Sequence, residues 1–190
     1  ITMFSWGSYP SVYALGHRAI QNLLRHEVQV EEKIDGSQFS FGLVEASDAD
    51  IVFLNKEGKT QILGDCFLAL KVRSKGCVMH IDAPEKMFTK AVETVRELAL
   101  NGLLYPGWTY RGEYLAKPKH NALAYDRVPK GNIILFDINT GDQDYLSYEE
   151  KAKEAERIGL ECVPLLFSGK LDQIDQFRQF LDTVSILGGQ

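Results

Sequence analysis

Lys33 stands in the run Val30-Glu31-Glu32-Lys33-Ile34-Asp35-Gly36-Ser37-Gln38-Phe39-Ser40-Phe41. A lysine, a carboxylate two residues later and then a glycine, set among strand-forming residues, suit an enzyme whose lysine amine attacks a nucleotide phosphate. An amine becomes a nucleophile only when it loses its proton, which neighbouring groups or partial desolvation must promote. Gly36 would let backbone approach a ligand where a side chain would not fit. The same tetrapeptide also occurs as a plain surface turn, so its meaning depends on partners elsewhere in the chain.

Three further segments offer such partners. Val72-Arg73-Ser74-Lys75-Gly76 joins two cations to a flexible backbone, as a phosphate contact or as a solvated turn. Tyr110-Arg111-Gly112-Glu113-Tyr114-Leu115 sets a carboxylate in a strand-like run, where it is an exposed rung or holds a metal or a ribose hydroxyl. Ile134-Leu135-Phe136-Asp137-Ile138 puts Asp137 in an apolar strand, where an unpaired carboxylate is costly. It reads as an edge-strand residue facing water, or as a site residue beside an aromatic that stacks on a base. Lys117-Pro118-Lys119-His120 is a basic lip for RNA or a solvated loop. His17, His26, His80 and His120 lack metal-ligand spacing and read as structural or surface residues.

These residues need elements to hold them. From Gln29 to Val44 the pattern alternates, with Phe39, Phe41 and Leu43 on one face and Gln38, Ser40 and Gly42 on the other, which predicts one half-buried strand. Scattered aromatics (Phe4, Trp6, Tyr9, Tyr13) precede a mixed helical stretch near His17–Arg25. Ile51–Leu54 and Gln61–Leu63 flank Asn55-Lys56-Glu57-Gly58, a hairpin composition. Asp82-Ala83-Pro84-Glu85 opens a helix carrying Phe88, Ala91, Val95 and Leu98 at helical spacing, and Asn101-Gly102 ends it. Strands follow near Thr109–Leu115 and Asn132–Ile138. Ser147 with Glu150 forms a capping box for a helix that stops at Gly159; this helix reads as scaffold without chemistry. Glu161–Phe167 reads as a strand, and a last helix spans about Leu171–Val184 with Ile174, Phe177, Phe180 and Leu181 inward. Clustered strands with helices between them predict an α+β domain rather than regular βαβ winding.

Composition narrows the class. At 190 residues with 45% hydrophobic and 25% charged residues, the chain fits one globular domain, residues 1–190, or one domain plus a small appendage, with a sizeable core. A net charge of −5 argues against coating nucleic acid by bulk charge but permits a local basic groove. Cys66, Cys77 and Cys162 are widely spaced without a Cys-x-x-Cys pair, which argues against a disulfide framework or zinc site and for a reducing interior. No run approaches the roughly 18 apolar residues of a membrane span, and no signal-peptide pattern opens the chain, so a cytoplasmic protein is expected.

In order, Lys33-Ile34-Asp35-Gly36, Arg73-Ser74-Lys75-Gly76, Arg111-Gly112-Glu113 and Phe136-Asp137-Ile138 resemble the motifs of the covalent nucleotidyltransferase superfamily of polynucleotide ligases and mRNA capping enzymes. Glu-Lys-Ile-Asp-Gly-Ser-Gln is most similar to ATP-dependent RNA ligases, which carry Ser or Thr and then Asn or Gln after the glycine. DNA ligases more often have arginine at the position of Gln38. The resemblance implies an α+β nucleotidyltransferase (ATP-grasp-like) adenylation domain with antiparallel sheets and flanking helices. It implies that Lys33 attacks the α-phosphate of ATP with Mg²⁺ present, and that AMP then passes to an RNA 5′-phosphate which a 3′-hydroxyl seals. Ile34, Asp35, Gly36 and Gln38 would border the nucleotide, Arg73 its sugar or the polynucleotide, and Glu113 the ribose or the metal, with Asp137 as a second metal candidate. Phe136 would stack on adenine, and Glu31 and Glu32 compete for its amino group. Lys75, Lys117 and Lys119 would meet RNA. A DNA ligase, a GTP-using capping enzyme and a non-catalytic nucleotide- or RNA-binding module are the alternatives. Two later motifs of the superfamily, a Glu-Gly and a lysine-bearing strand, are not found before Gln190, so a chain that is part of a longer ligase is expected.

Overall fold

The computed structural model describes residues 7–45, 61–63 and 66–189. In chain order the strands and α-helices are β1 (Val28–Glu31), β2 (Ser37–Glu45), β3 (Gln61–Leu63), β4 (Cys66–Ser74), β5 (Val78–Met79), α1 (Thr89–Leu100), β6 (Thr109–Tyr114), β7 (Ile133–Asn139), α2 (Tyr148–Ile158), β8 (Glu161–Cys162) and β9 (Leu165–Gly169). Among the described residues, one seven-stranded sheet runs β3-β4-β2-β6-β7-β8, with β5 on β4, and a second sheet pairs β1 with β9. All pairs are antiparallel except β7 with β8. This is the α+β arrangement that the strand clusters predict.

Alternation makes β2 the centre of the large sheet. Phe39, Phe41 and Leu43 are buried beneath it with Val72, Tyr110, Tyr114, Ile133 and Leu135, and α1 closes this core with Ala91, Val92 and Val95. Phe41 stacks on Tyr110 at 5.2 Å between ring centroids and 8° between planes. Cutting Phe41 to alanine leaves a hole that such packing cannot fill. A loss of about 3–5 kcal/mol is expected in urea unfolding, and an unchanged midpoint would show that the core collapses around it. Opposite this core, β2 and its neighbours turn polar side chains: Ser40 pairs across to Arg73 on β4 and to Arg111 on β6, and Gln38 to Glu113.

Several boundaries differ from the sequence reading. The single strand expected over Gln29–Val44 breaks at residues 32–36: β1 pairs with β9, β2 with β4 and β6, so the Lys33 segment crosses between sheets. Glu161–Phe167 also splits, because Pro164 has no N–H for a ladder, and its halves join different sheets. The helix expected from Asp82 starts later, as a 3-10 turn at Lys86–Phe88 that leads into α1; Asp82 instead pairs with Arg96 at 3.4 Å. Helix expected over His17–Arg25 appears as two 3-10 turns, Arg18–Ile20 and Leu23–Arg25. The last helix is a 3-10 segment, Ile174–Asp182, with no buried residue; Ile174 and Leu181, expected inward, are 48% and 82% exposed. Without a buried face it lacks the packing that stabilises an α-helix.

The α2 cap forms as read: Ser147 Oγ accepts from the Glu150 amide at 3.3 Å, Glu150 returns the bond at 2.9 Å, and Gly159 ends the helix at φ 84°. Phe4, Trp6 and the hairpin over residues 51–58 lie outside the described residues.

Candidate active site

The segment carrying Lys33 is pinned on both sides. Ile34 is buried with Leu115, Tyr125, Ile134, Val163 and Leu187, which plugs it into a second, smaller core. The Glu32 amide donates to Pro164 O at 3.2 Å, and Glu32 Oε2 accepts from the Ile186 amide at 3.0 Å. A loop over residues 116–125 clamps the other side. Asn121 donates to Gly36 O at 2.6 Å, and the Asp35 amide donates to the Tyr125 hydroxyl at 2.8 Å. The Leu123 amide donates to Asp35 Oδ2 at 2.9 Å, and that bond holds the Asp35 carboxyl below its ordinary range. His120 takes the Ala116 amide on Nδ1 and meets Ser37 Oγ through Nε2 at 2.8 Å, a structural role for this histidine. Between these anchors Lys33 itself stays exposed.

Gly36 answers a close approach within the chain. A Cβ there would lie 2.6 Å from Tyr114 O and 3.2 Å from Glu113 Oε2. The sequence reading expected a ligand to make that approach; the neighbouring strand makes it.

Lys33 opens onto a cleft of about 610 Å³ between the two sheets, a size suited to a small ligand. Glu31 comes from β1, Gln38 from β2, Glu113 from β6, Phe136 and Asp137 from β7, and Glu32, Ile34, Gly36 and Lys75 also line it. Most of the residues singled out in sequence therefore gather in one place. Asp35 and Arg73 do not line it: Asp35 faces the 116–125 loop, and Arg73 reaches Ser8 Oγ at 3.1 Å. Lys117 and Lys119 are exposed on the clamp loop, outside the cleft wall.

Phe136 and Asp137 are adjacent, so strict alternation would send them to opposite faces. A β-bulge prevents this. Arg111 faces Asp137 and Gly112 faces Leu135, which leaves Phe136 as an extra residue, and both side chains reach the cleft. Asp137 thus sits on an interior strand and not at a solvated edge. It accepts from the Tyr9 hydroxyl at 2.7 Å, and burial pushes its carboxyl up.

Burial also pushes Glu113 up from 4.5 to about 7, against the pull of Lys33 and the Gly36 amide. The folded protein therefore keeps this proton where the unfolded chain has lost it. Stability is expected to fall as pH rises from about 4.5 to about 7, by on the order of 2–3 kcal/mol. Urea midpoints at pH 5 and pH 7.5 check this, and Glu113→Gln should flatten the difference. A midpoint that instead rises over this window would contradict it.

Two contributors escaped the sequence reading. Tyr9 packs edge-on against Phe136 at 5.0 Å, the Gly7 carbonyl accepts from Arg111 at 2.9 Å, and residues 9–12 wall the cleft. Only their aromatic content hinted at this. Lys151 of α2, read as scaffold, is buried and bonds both Glu31 oxygens at 2.8 Å. Its signal was its place on the inward stripe with Ala155 and Ile158, where a lysine needs a partner.

Among the described residues, no group of three or more His, Cys, Asp or Glu side chains gathers as a metal cluster. A magnesium ion bound largely through substrate phosphates and one or two carboxylates needs none.

Mixed sheets, flanking helices and a lysine-bearing loop between the sheets are the features of a nucleotidyltransferase-like ligase domain. The family model described as RNA ligase matches residues 26–187, and the chain belongs to the RNA ligase family. A comparison with curated proteins found no match. The chain thus carries an RNA ligase domain, with RNA as its substrate class. Among the described residues, no helix is long and apolar enough to cross a membrane.

Proposed function

We propose that this chain, as an adenylation domain, joins RNA ends through a lysyl-AMP intermediate on Lys33. The observation that carries this reading is the exposed Lys33 amine at the mouth of a cleft that also holds Glu31, Gln38, Glu113 and Phe136. The Lys33 ammonium first gives its proton to solvent. Its amine then bonds to the α-phosphorus of ATP and sheds a second proton to solvent as the bond to the bridging oxygen breaks and pyrophosphate leaves. A 5′-phosphate oxygen of RNA next displaces Lys33 from the phosphorus, and the lysine nitrogen takes a proton back from solvent as it leaves. A 3′-hydroxyl finally attacks the activated 5′-phosphate, loses its proton and expels AMP.

Such phosphoryl chemistry depends on positioning and charge neutralisation more than on proton transfer. The chain supplies the positioning: Ile34, Asp35 and Gly36 are each tied to other elements, so the Lys33 backbone cannot drift. Phe136 would stack on the base, Gln38 would border the sugar, and Glu113, paired with Gln38 across β2 and β6, would meet the ribose or the metal. Magnesium fits this donor set, with Glu113 as its carboxylate and Asp137 as a second candidate, and would neutralise phosphate charge. Glu113 can hold a cation only when ionised, and a cation nearby would itself favour that form. Lys75 on the cleft wall and Lys117 and Lys119 on the exposed loop provide cations for the RNA backbone. Widely spaced cysteines and the use of ATP accord with a cytoplasmic setting.

Incubation with α-labelled ATP and Mg²⁺ tests the reading. A covalent adduct that maps to Lys33 is expected, and a folded protein that takes no label would overturn it.

A further inference from the structure

The buried ammonium of Lys151 has a use that the RNA ligase assignment does not state. A lysine has three N–H donors and no acceptor. Here all three are committed at 2.8 Å: two to the oxygens of Glu31 and one to the carbonyl of Phe136. Lys151 is 6% exposed and Glu31 is 23% exposed, and both border the cleft. One side chain thereby fixes two groups. It sets the carboxylate that borders the cleft, and it ties down the backbone of the bulged residue whose ring borders the same space.

A consequence follows for what the cleft can read. With its donors used, Lys151 has nothing left to give a base. Glu31 still has free lone pairs, since an ionised carboxylate accepts at about four sites and donates at none. The part of the cleft wall that Glu31 forms is therefore an acceptor. A 6-aminopurine can donate to it; a 6-oxopurine would turn its own acceptor toward the carboxylate, leaving both unpaired. We propose that Lys151 is a positioning residue for base recognition, which holds Glu31 as an acceptor-only edge that selects 6-aminopurine nucleotides over 6-oxopurine nucleotides.

This inference rests on the nucleotide-binding reading of the cleft but not on covalent chemistry, and its test is arranged accordingly. Dissociation constants are measured by calorimetry without Mg²⁺ for ATP, GTP and the triphosphate of purine riboside, which lacks the 6-amino group. In the wild-type protein ATP should bind roughly tenfold more tightly than purine riboside triphosphate, the contribution of one hydrogen bond to a charged acceptor. GTP should be weaker still. In Lys151→Met the carboxylate loses its anchor, and the ratio between ATP and purine riboside triphosphate should fall toward one. Lys151→Arg should restore part of it, which a merely structural effect on overall affinity would not do. If Lys151→Met fails to fold, Glu31→Gln decides: its amide can donate to a 6-oxo group, so the preference for ATP over GTP should shrink. A folded Lys151→Met with the wild-type ratio, or a Glu31→Gln that keeps the wild-type preference, overturns the inference. Nucleotide that binds selectively but never labels Lys33 would overturn the adenylation reading alone. A protein that binds none of the three nucleotides overturns both.

Discussion

Lys33→Ala is expected to remain folded and to lose covalent nucleotide attachment altogether. Lys33 is exposed, and the segment around it is held by Ile34, Asp35 and Gly36 rather than by the lysine side chain. Truncating it should therefore change unfolding stability by no more than about 0.5 kcal/mol, as at other surface sites. Its effect on chemistry is of another order. Removing a covalent nucleophile deletes the intermediate itself, and comparable deletions cost on the order of a millionfold. With labelled ATP the variant should show no adduct, while ATP binding without Mg²⁺ persists. An adduct that survives in Lys33→Ala would move the nucleophile elsewhere.

Gly36→Ala is expected to cost both stability and activity. The φ of Gly36 lies outside the left-handed region, so the requirement is for space and not for unusual backbone. An added methyl would come within 2.6 Å of the Tyr114 carbonyl, which belongs to β6 and cannot swing aside as a side-chain tip could. It would also sit 3.1 Å from Leu115 Cδ1 and 3.2 Å from Glu113 Oε2. The Lys33 segment must back away from β6, or Glu113 must shift. Overpacking of this kind costs about 1–3 kcal/mol. A displacement approaching 1 Å at a positioned nucleophile costs roughly a hundredfold in rate. Urea unfolding and single-turnover labelling read the two effects separately. A wild-type midpoint together with wild-type labelling would show that the loop absorbs the methyl and that the close approach does not position Lys33.

Much of the scaffold was written locally. The capping box and left-handed glycine of α2, the apolar spacing of α1 and the facing of Phe39, Phe41 and Leu43 in β2 each depend on neighbours within a few residues and appear as read. Strand β2, expected half-buried, is however buried on both faces, with Ser40 1% exposed among Arg73 and Arg111. Lys33, Gln38, Glu113 and Phe136 were likewise legible as candidates, because residue type and order single them out, and all four line one cleft. Less legible was any feature that depends on which element a strand meets. Gln29–Val44 looks continuous, since both halves alternate; only pairing with β9 on one side and with β4 and β6 on the other divides it. The final segment has apolar residues at helical spacing, but spacing does not supply a surface to bury them against.

By itself, then, the sequence determined the class of chemistry: a lysine in a nucleotidyltransferase-like motif, followed in order by a basic segment, a strand carboxylate and an aromatic-acid pair. The tertiary structure decided how these meet. It put Lys33 on a crossing between two sheets, used a bulge to send Phe136 and Asp137 into one cleft, turned Asp35 away toward the clamp loop, and brought Tyr9 and Lys151 to its walls beside distant partners. The physical reason is range. Periodicity, caps and turn residues act over a few positions, whereas the Glu31–Lys151 pair spans 120 positions and the Tyr9–Asp137 bond 128. Contacts at that separation form only where the folded sheets and helices bring their residues together.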